Sequence, residues 1–294
     1  MRTPLFLPLL ALISFAPPLA AETEETPFRI GLIRERSNSA SYMFDLYNPL
    51  FVLLQEHLAP HGIRPGMVLA ADQEELRQRV AAGEVEAVLE SLFNLLRMPA
   101  GQLEPWIVAE RKGERQVSSV IFVAADSPIA DLRDLAGKRI AFESPRSTSA
   151  YAIPRAMLER AGLGLAPDGQ EDAPAQAVRY RFAGDERTQA YWVSLGQTEA
   201  GGFNDSDWVK LPESLRGRLR VIAQSRPFLR WLFYIHSGVS PAVKAAMQKV
   251  LLALPATPTG RQALAQAKIT DLALFLPADQ ALVNNARDLL GLRE

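Results

Sequence analysis

Short apolar runs alternate along the chain with longer segments in which apolar residues recur every three or four positions. Runs of the first kind, each predicted to be a buried strand, cover residues 28–33, 67–70, 85–89 and 139–142. Between them, Asp72 has the position of an N-cap, and Gly83 is a residue type that ends helices. A further helix is predicted to begin at Pro49, with Asn48 as its N-cap. This alternation predicts an α/β fold with mostly parallel sheets flanked by helices.

Three marked positions of the first half recur in the second half with the same gaps of 11 and 3 residues. They are Asp72, Gly83 and Glu86 in the first copy, and Asp185, Gly196 and Glu199 in the second. Both copies have the pattern of a capped helix, a glycine stop and a strand, which predicts two similar lobes. Strand-like runs at 117–123 and 219–223 predict the crossings between the lobes. Lobe 1 is then formed by residues 22–122 and 222–294, and lobe 2 by residues 123–221.

The N-terminus has the layout of an export signal. Arg2 precedes an apolar stretch over residues 4–21, which ends in small residues and is followed by acidic ones. We predict that residues 1–21 are a signal peptide and that the mature protein is soluble in the periplasm. A buried N-terminal helix is the alternative, which Pro17 and Pro18 disfavour.

The composition excludes several kinds of chemistry. The chain has no cysteine, which rules out disulfides and thiolate metal sites, and its three histidines supply little base chemistry. Its formal net charge of −1 indicates no nucleic-acid partner. Neither the Gly-x-Ser-x-Gly motif of hydrolases nor the His-Glu-x-x-His motif of zinc proteases occurs. The sequence therefore predicts a binding protein rather than an enzyme, with no cofactor and no metal.

Three consecutive hydroxyl residues, Ser147, Thr148 and Ser149, follow the predicted strand at 139–142. A hydroxyl at a helix start can cap the helix by accepting a hydrogen bond from a backbone N–H. Three hydroxyls beside the unpaired N–H groups of a helix can also hold an oxyanion. The pattern leaves both interpretations open. Pro154 predicts that the helix entry and the main helix are two segments, since proline does not fit deep inside a helix.

Arg34 lies directly after the first predicted strand. Ligands of open α/β sheets bind beyond the carboxyl ends of the strands, so Arg34 is placed to contact an anion there. A solvated loop arginine is the alternative.

The stretch Ser144-Pro-Arg-Ser-Thr-Ser-Ala-Tyr151, with Pro154, is similar to the motif of the phosphate/phosphite/phosphonate-binding family of periplasmic proteins. The segments Asp134-Leu-Ala-Gly-Lys-Arg-Ile-Ala-Phe142 and Ala200-Gly-Gly-Phe-Asn204 also resemble this family. The resemblance implies a type II periplasmic binding protein, with two α/β lobes joined by two crossing strands. It further implies that the protein captures a small phosphorus oxyanion (phosphate, phosphite or phosphonate) between the lobes for an ABC transporter.

The resemblance also implies roles for single residues. The hydroxyls of Ser147, Thr148 and Ser149 would hold the anion. Glu186 matches a position that faces the ligand's amino group in aminophosphonate binders, with a simple first-turn acidic residue as the alternative. Asp185 replaces a family histidine, and it would either accept a proton from the ligand or cap its helix.

Two tyrosines that family members carry are replaced here by Gln73 and Val117. Tyr47 and Tyr151 are candidate phenol donors in their place, with structural packing as the alternative. These departures leave the identity of the anion open. The expected partners are a small anionic ligand and an ABC permease. A sensory binding protein that presents a diverged ligand to a membrane histidine kinase would have the same lobes and is the alternative.

Overall fold

The protein is described by a computed structural model over residues 25–34, 39–99 and 101–292. The predicted signal peptide, residues 1–21, lies outside the described residues. Within these ranges, no helix combines the length and the apolar character that crossing a bilayer requires.

The strands and helices alternate along most of the described chain. The strands are β1 (Thr26–Ile33), β2 (Ile63–Ala70), β3 (Ala87–Ser91), β4 (Leu103–Glu110), β5 (Gln116–Val117), β6 (Ser119–Ala124), β7 (Arg139–Phe142), β8 (Leu165–Pro167), β9 (Val178–Phe182), β10 (Ala200–Asn204), β11 (Leu219–Gln224), β12 (Phe228–Leu229), β13 (Trp231–His236) and β14 (Asp271–Leu274). The α-helices are α1 (Ala40–Leu58), α2 (Gln73–Ala81), α3 (Leu92–Leu95), α4 (Ile153–Arg160), α5 (Glu186–Ser194), α6 (Asp205–Lys210), α7 (Glu213–Arg216), α8 (Pro241–Ala253), α9 (Pro258–Gln266) and α10 (Gln280–Leu289). One-turn 3-10 helices cover Ala59–His61, Leu132–Leu135, Leu254–Ala256 and Pro277–Asp279, and a π-helical turn covers Thr148–Ala152.

Each of two six-stranded sheets forms the centre of one lobe. The strand order is β14-β4-β13-β3-β1-β2 in the first lobe and β11-β6-β10-β7-β9-β8 in the second. Strands β1, β2 and β3 pair in parallel, as do β7, β8, β9 and β10. The strands that arrive from the other lobe, β13 and β6, run antiparallel to both of their neighbours. The predicted two-lobed α/β fold is confirmed, and the crossing of the chain adds antiparallel strands to each sheet.

The crossing itself is a short ribbon outside both sheets. Strand β5 pairs antiparallel with β12, with Val117 opposite Phe228. The predicted crossing run 117–123 begins at Val117 of this ribbon but lies mostly in β6, and the run 219–223 lies in β11. Strands β6 and β11 pair with each other in the second sheet. The predicted lobe boundaries at residues 122/123 and 221/222 therefore fall inside strands of the second lobe. Apolar runs indicate strands, but only the pairing partners assign each strand to a sheet.

The first helix begins nine residues before the predicted start at Pro49 and is capped by Ser39, whose hydroxyl accepts from the N–H of Tyr42. Pro49 lies inside this helix. A proline in a helix leaves the carbonyl four residues earlier without its N–H partner. Here that carbonyl, on Asp45, accepts from the side-chain amide of Gln266 at 2.8 Å. The prediction was wrong because this compensation comes from a residue more than 200 positions away.

The prediction that the helix entry and the main helix are two segments is confirmed. The π-helical turn Thr148–Ala152 leads directly into α4, and the N–H of Ala152 donates to the carbonyl of Ser147 at 3.0 Å. Pro154 leaves the carbonyl of Ala150 without a helical partner, and the N–H of Glu143 donates to it at 3.1 Å. The helix start is thereby tied to the end of β7.

The repeat predicted from the sequence is confirmed as a repeated structure. Asp72 caps α2 and Asp185 caps α5, each through its side chain, and each helix has nine residues. The glycines after the two helices, Gly83 and Gly196, both have φ of +68°, a conformation that strongly favours glycine.

An arginine on the first parallel strand of each lobe, β1 or β7, completes the repeat. Arg29 donates its backbone N–H and two guanidinium N–H groups to Glu86, with the ion pair at 2.8 Å. Arg139 makes the same three bonds to Glu199, with the ion pair at 2.9 Å. The two lobes therefore share one local design.

The C-terminal helices pack mainly on the first lobe and the crossing ribbon. Helices α8 and α9 pack on α1 in the first lobe. Helix α10 lies against β12 of the crossing ribbon and contacts both lobes, through α3 of the first and α4 of the second. Asp288 at the end of α10 forms ion pairs with Arg160 and Arg226, which extend this contact.

Candidate functional site

The candidate site lies where the carboxyl ends of the parallel strands of both lobes face each other. In the first lobe, Arg34 directly follows β1, and β3 leads into α3. In the second lobe, β7 leads to the loop before the π-helical turn, and β10 leads into α6. Ligands of parallel sheets bind at these ends, so the cleft between the lobes is the expected position for a ligand.

The three predicted hydroxyls, named here the hydroxyl socket, lie in this cleft. Ser147 caps the π-helical turn, and its oxygen accepts from the N–H of Ala150 at 3.1 Å. Thr148 is buried, and its oxygen accepts from the N–H of Phe93 on the first lobe at 3.3 Å. The hydroxyl oxygen of Ser149 accepts from the side-chain amide of Asn204 at 3.4 Å. The socket therefore faces the first lobe directly.

All three socket hydroxyls act as acceptors toward the protein. A serine or threonine hydroxyl has a single O–H donor in addition to its acceptor lone pairs. Among the described residues, none receives a hydrogen bond from Ser147, Thr148 or Ser149 side chains. Their three O–H donors are therefore available to an oxygen-rich ligand. The capping role and the socket role, which the sequence left as alternatives, are compatible at Ser147.

Arg34 is brought to the socket. Its backbone carbonyl accepts from the guanidinium of Arg146, in the loop before the π-helical turn, at 2.7 Å. This bond joins the end of β1 in the first lobe to the socket loop in the second. The Arg34 side chain is half-buried.

Three carboxyl groups of the second lobe, Glu143, Glu186 and Asp207, form an acid cluster beside the socket. They follow β7, β9 and β10, which are neighbours in the sheet. Burial, and then the charges of Glu143 and Asp207, raise the pKa of Glu186 to about 7. The carboxyl of Glu186 lies within hydrogen-bonding reach of Asp207. The amide of Asn204 joins the cluster to the socket, because it also donates to Asp207 at 2.6 Å.

Lys112 of the first lobe contacts the acid cluster. The ammonium of Lys112 donates to Asp207 Oδ1 at 2.7 Å. Burial opposes ionisation of Asp207, but the bonds from Lys112 and Asn204 hold its pKa below the usual value. At neutral pH the cluster therefore contains an ionised Asp207 and a partly protonated Glu186.

Asp185 is a helix cap in the structure. Its carboxylate accepts from the N–H of Thr188 at 2.8 Å and from the hydroxyl of Thr188 at 2.7 Å. These bonds, with burial opposing them, hold the pKa of Asp185 below its usual value. The side chain is thus an ionised acceptor that is already occupied by its own helix.

The two candidate phenols are engaged inside the lobes. Tyr47 is buried in the core of the first lobe. The ring of Tyr151 packs edge-on against Phe142, with ring centroids 5.2 Å apart, and its hydroxyl accepts from Arg155 one turn along α4 at 2.9 Å. The structure thus supports the packing alternative for both tyrosines.

The first lobe contributes polar groups that sequence reasoning did not select. Ser91 is buried at the end of β3, and its hydroxyl has no partner among the described residues. The amide of Gln73 donates to the carbonyl of Asn94 at 2.9 Å, and its oxygen also has no described partner. Complete burial raises the pKa of Glu90, which accepts from Asn94 at 2.8 Å. The repeat offered a signal, since Ser91 ends β3 and Asn204 ends β10, the strands that follow the capped helix and the glycine stop in each lobe.

A two-lobed α/β protein with hydroxyls and charged groups in an interlobe cleft defines the class of periplasmic binding proteins. A model of the family described as "ABC transporter, phosphonate, periplasmic substrate-binding protein" matches residues 36–281. This match spans well over half of the sequence, so the chain belongs to that family. Members of the family are binding components of transporters rather than enzymes.

Individual relatives agree with this assignment. The Phosphate-import protein PhnD of Mycolicibacterium smegmatis is 24% identical over 235 residues, which are 77% of this chain and 72% of the relative. XAC2383 from Xanthomonas citri, solved with chloride ion, has a TM-score of 0.77 at 22% identity and covers 90% of this chain and 97% of its own. PhnD1 from Prochlorococcus marinus, solved in complex with methylphosphonate, has a TM-score of 0.62 at 14% identity, with coverage of 91% and 99%. At these low sequence identities, the structural similarity is evidence for the fold alone.

Proposed function

We propose that this protein captures a small phosphorus oxyanion in the cleft between its lobes. The anion is held by the O–H groups of Ser147, Thr148 and Ser149, with Arg34 and Arg146 adding positive charge at the cleft mouth. Glu186 lies in the acid cluster beside the anion. The bound form is closed, because only then do both lobes contact the ligand.

The main support for the proposal is the direction of the hydrogen bonds that the three socket hydroxyls make within the protein. Each hydroxyl oxygen accepts from a protein N–H group, so each O–H remains free to donate. Three donors converging at the start of a helix are suited to an anion with several oxygens. The N–H of Phe93 on the opposite lobe donates to the Thr148 oxygen and so helps to orient that hydroxyl.

The relatives support the same ligand class. One curated relative is a phosphate-import protein, and one structural neighbour was solved with methylphosphonate. The family match favours a transport role, in which the closed protein docks on an ABC permease, over the sensory alternative. In that role, residues 1–21 direct export to the periplasm.

Calorimetric titration of the mature protein with phosphate, phosphite, methylphosphonate and sulfate tests the proposal. Thr148→Ala is expected to weaken binding of the preferred phosphorus anion by about 10- to 100-fold, the usual effect of losing a hydrogen bond to a charged group. Ser194→Ala is the matched control, because its hydroxyl donates to the carbonyl of Tyr191 at the far end of α5.

Two results would contradict the proposal. The first is a folded wild-type protein that binds none of the phosphorus anions. The second is a Thr148→Ala variant that binds the preferred anion as tightly as the Ser194→Ala control does.

A further inference from the structure

A tight hairpin of the first lobe places a lysine on the acid cluster of the second lobe. The hairpin covers residues 111–114 and connects β4 to β5. Arg111 and Glu114 exchange both backbone hydrogen bonds, at 3.1 and 3.2 Å, which leaves Lys112 and Gly113 as a two-residue loop. Lys112 then donates across the lobe boundary to Asp207, whose side chain is only 9% exposed.

The backbone of Lys112 is in an unusual conformation. Its φ is +58°, and that of Gly113 is +79°, as a two-residue hairpin loop with two positive φ angles requires. Asn, Asp or Gly are the residue types that adopt this conformation at low cost, whereas lysine adopts it at a cost of about 1 kcal/mol. The turn alone therefore does not favour lysine at this position, and the hydrogen bond to Asp207 is an interaction that offsets the cost of the backbone conformation.

The hairpin is also fixed to the second lobe on its other side. Glu114 accepts from the hydroxyl of Ser206 and from the ammonium of Lys210, the latter at 3.1 Å. The second carboxylate oxygen of Glu114 accepts from Arg230 at 3.2 Å. These bonds hold the loop against α6, so the ammonium of Lys112 is directed at the cluster rather than free in solvent.

The acid cluster that Lys112 contacts adjoins the proposed anion position. Asn204 donates to both Ser149 and Asp207, which places one carboxylate a single side chain away from the socket. A small ligand whose anionic group lies on the socket would bring any cationic group it carries to these carboxyls. In this structure the ammonium of Lys112 already contacts these carboxyls, through Asp207.

We propose that Lys112 is a specificity-determining residue, whose ammonium occupies the cation position at the acid cluster. The wild-type protein then favours phosphorus oxyanions that carry no ammonium of their own. A ligand ammonium must compete with Lys112 for Asp207, and a displaced Lys112 loses a charge-assisted hydrogen bond. This inference rests on the proposed function, since it concerns the ligand of the same cleft.

The test compares two ligands that differ in one ammonium group, ethylphosphonate and 2-aminoethylphosphonate. Calorimetry gives the ratio of their dissociation constants for the wild type and three variants. Lys112→Met keeps the aliphatic stem but removes the charge, and it is expected to shift the ratio toward 2-aminoethylphosphonate by roughly tenfold. Lys112→Arg retains a cation and should keep the wild-type ratio. Lys210→Met removes a neighbouring lysine that contacts Glu114 instead of the cluster, and it should leave the ratio unchanged.

The possible outcomes separate this inference from the proposed function. If wild type binds the phosphonates and Lys112→Met leaves the ratio within about twofold, the inference is refuted while the proposed function stands. A wild-type preference for 2-aminoethylphosphonate by about tenfold would refute the inference in the same way. If the folded wild-type protein binds neither phosphonate nor phosphate, the proposed function is refuted and the inference with it. Thermal unfolding of each variant confirms that it is folded before titration.

Discussion

Replacing Glu186 by glutamine is expected to change how the free energy of unfolding depends on pH. Glu186 begins α5 and lies partly buried between Glu143 and Asp207. Burial and these two negative charges make its ionised form unfavourable in the folded protein. Glutamine has nearly the same shape but cannot ionise, so it removes the unfavourable charge without opening a cavity.

The size of the effect follows from the raised pKa. The pKa of Glu186 is raised from 4.5 to about 7 in the folded protein. Well below pH 4.5 the carboxyl is protonated in both the folded and the unfolded states, so this group does not lower the free energy of unfolding. Between these two values the folded state retains a proton that the unfolded state releases, and stability falls as pH rises. Above pH 7 the loss reaches about 3 kcal/mol.

Urea unfolding of the ligand-free protein at about pH 5 and about pH 8 measures this difference. The free energy of unfolding of Glu186→Gln, relative to that of wild type, should be about 2 to 3 kcal/mol higher at the upper pH than at the lower one. Glu56→Gln, on the exposed face of α1, is the matched control and should follow the wild-type pH dependence. If the Glu186→Gln and wild-type stabilities change in parallel between the two pH values, the account of the acid cluster is wrong.

Two further predictions concern packing and helix capping. Gly201→Ala would place a methyl carbon 2.4 Å from the Phe122 ring, so it should cost about 1–3 kcal/mol in urea unfolding. Gly66→Ala, where the nearest atom is 3.9 Å away, is the control, and equal losses at both sites would contradict the packing argument. Asp72→Ala and Asp185→Ala should each cost about 1 kcal/mol, because both remove an equivalent cap. Calorimetry should show phosphonate affinity unchanged in Asp185→Ala, and a large loss of affinity would restore a ligand role for Asp185.

Elements that depend on neighbouring residues were predicted well. The strand 139–142, the cap Asp72 and the two helical segments on either side of residue 153 match the structure. Each is specified by side chains within a few positions of the backbone that they affect. The three hydroxyls proposed to bind the anion were selected for the same reason, since they are consecutive in sequence.

Features that depend on distant partners were missed or misplaced. Pro49 was predicted to start a helix, because the sequence gives no sign that Gln266 would satisfy the carbonyl of Asp45. The crossing was placed mostly on β6 and β11, whose apolar patterns are those of any buried strand. Tyr47 and Tyr151 were candidate donors by position, but core packing orients their rings.

By itself, the sequence determined the two repeated α/β units, their caps and glycine stops, and a hydroxyl-rich helix start that resembles the family motif. These properties arise from backbone preferences and side chains that act over one or two turns. Only the tertiary structure decided that Lys112 meets Asp207, 95 residues away, and that Glu186 titrates near neutrality. Both depend on how closely the two lobes approach and how much water they exclude, because charge interactions strengthen as the surrounding dielectric falls.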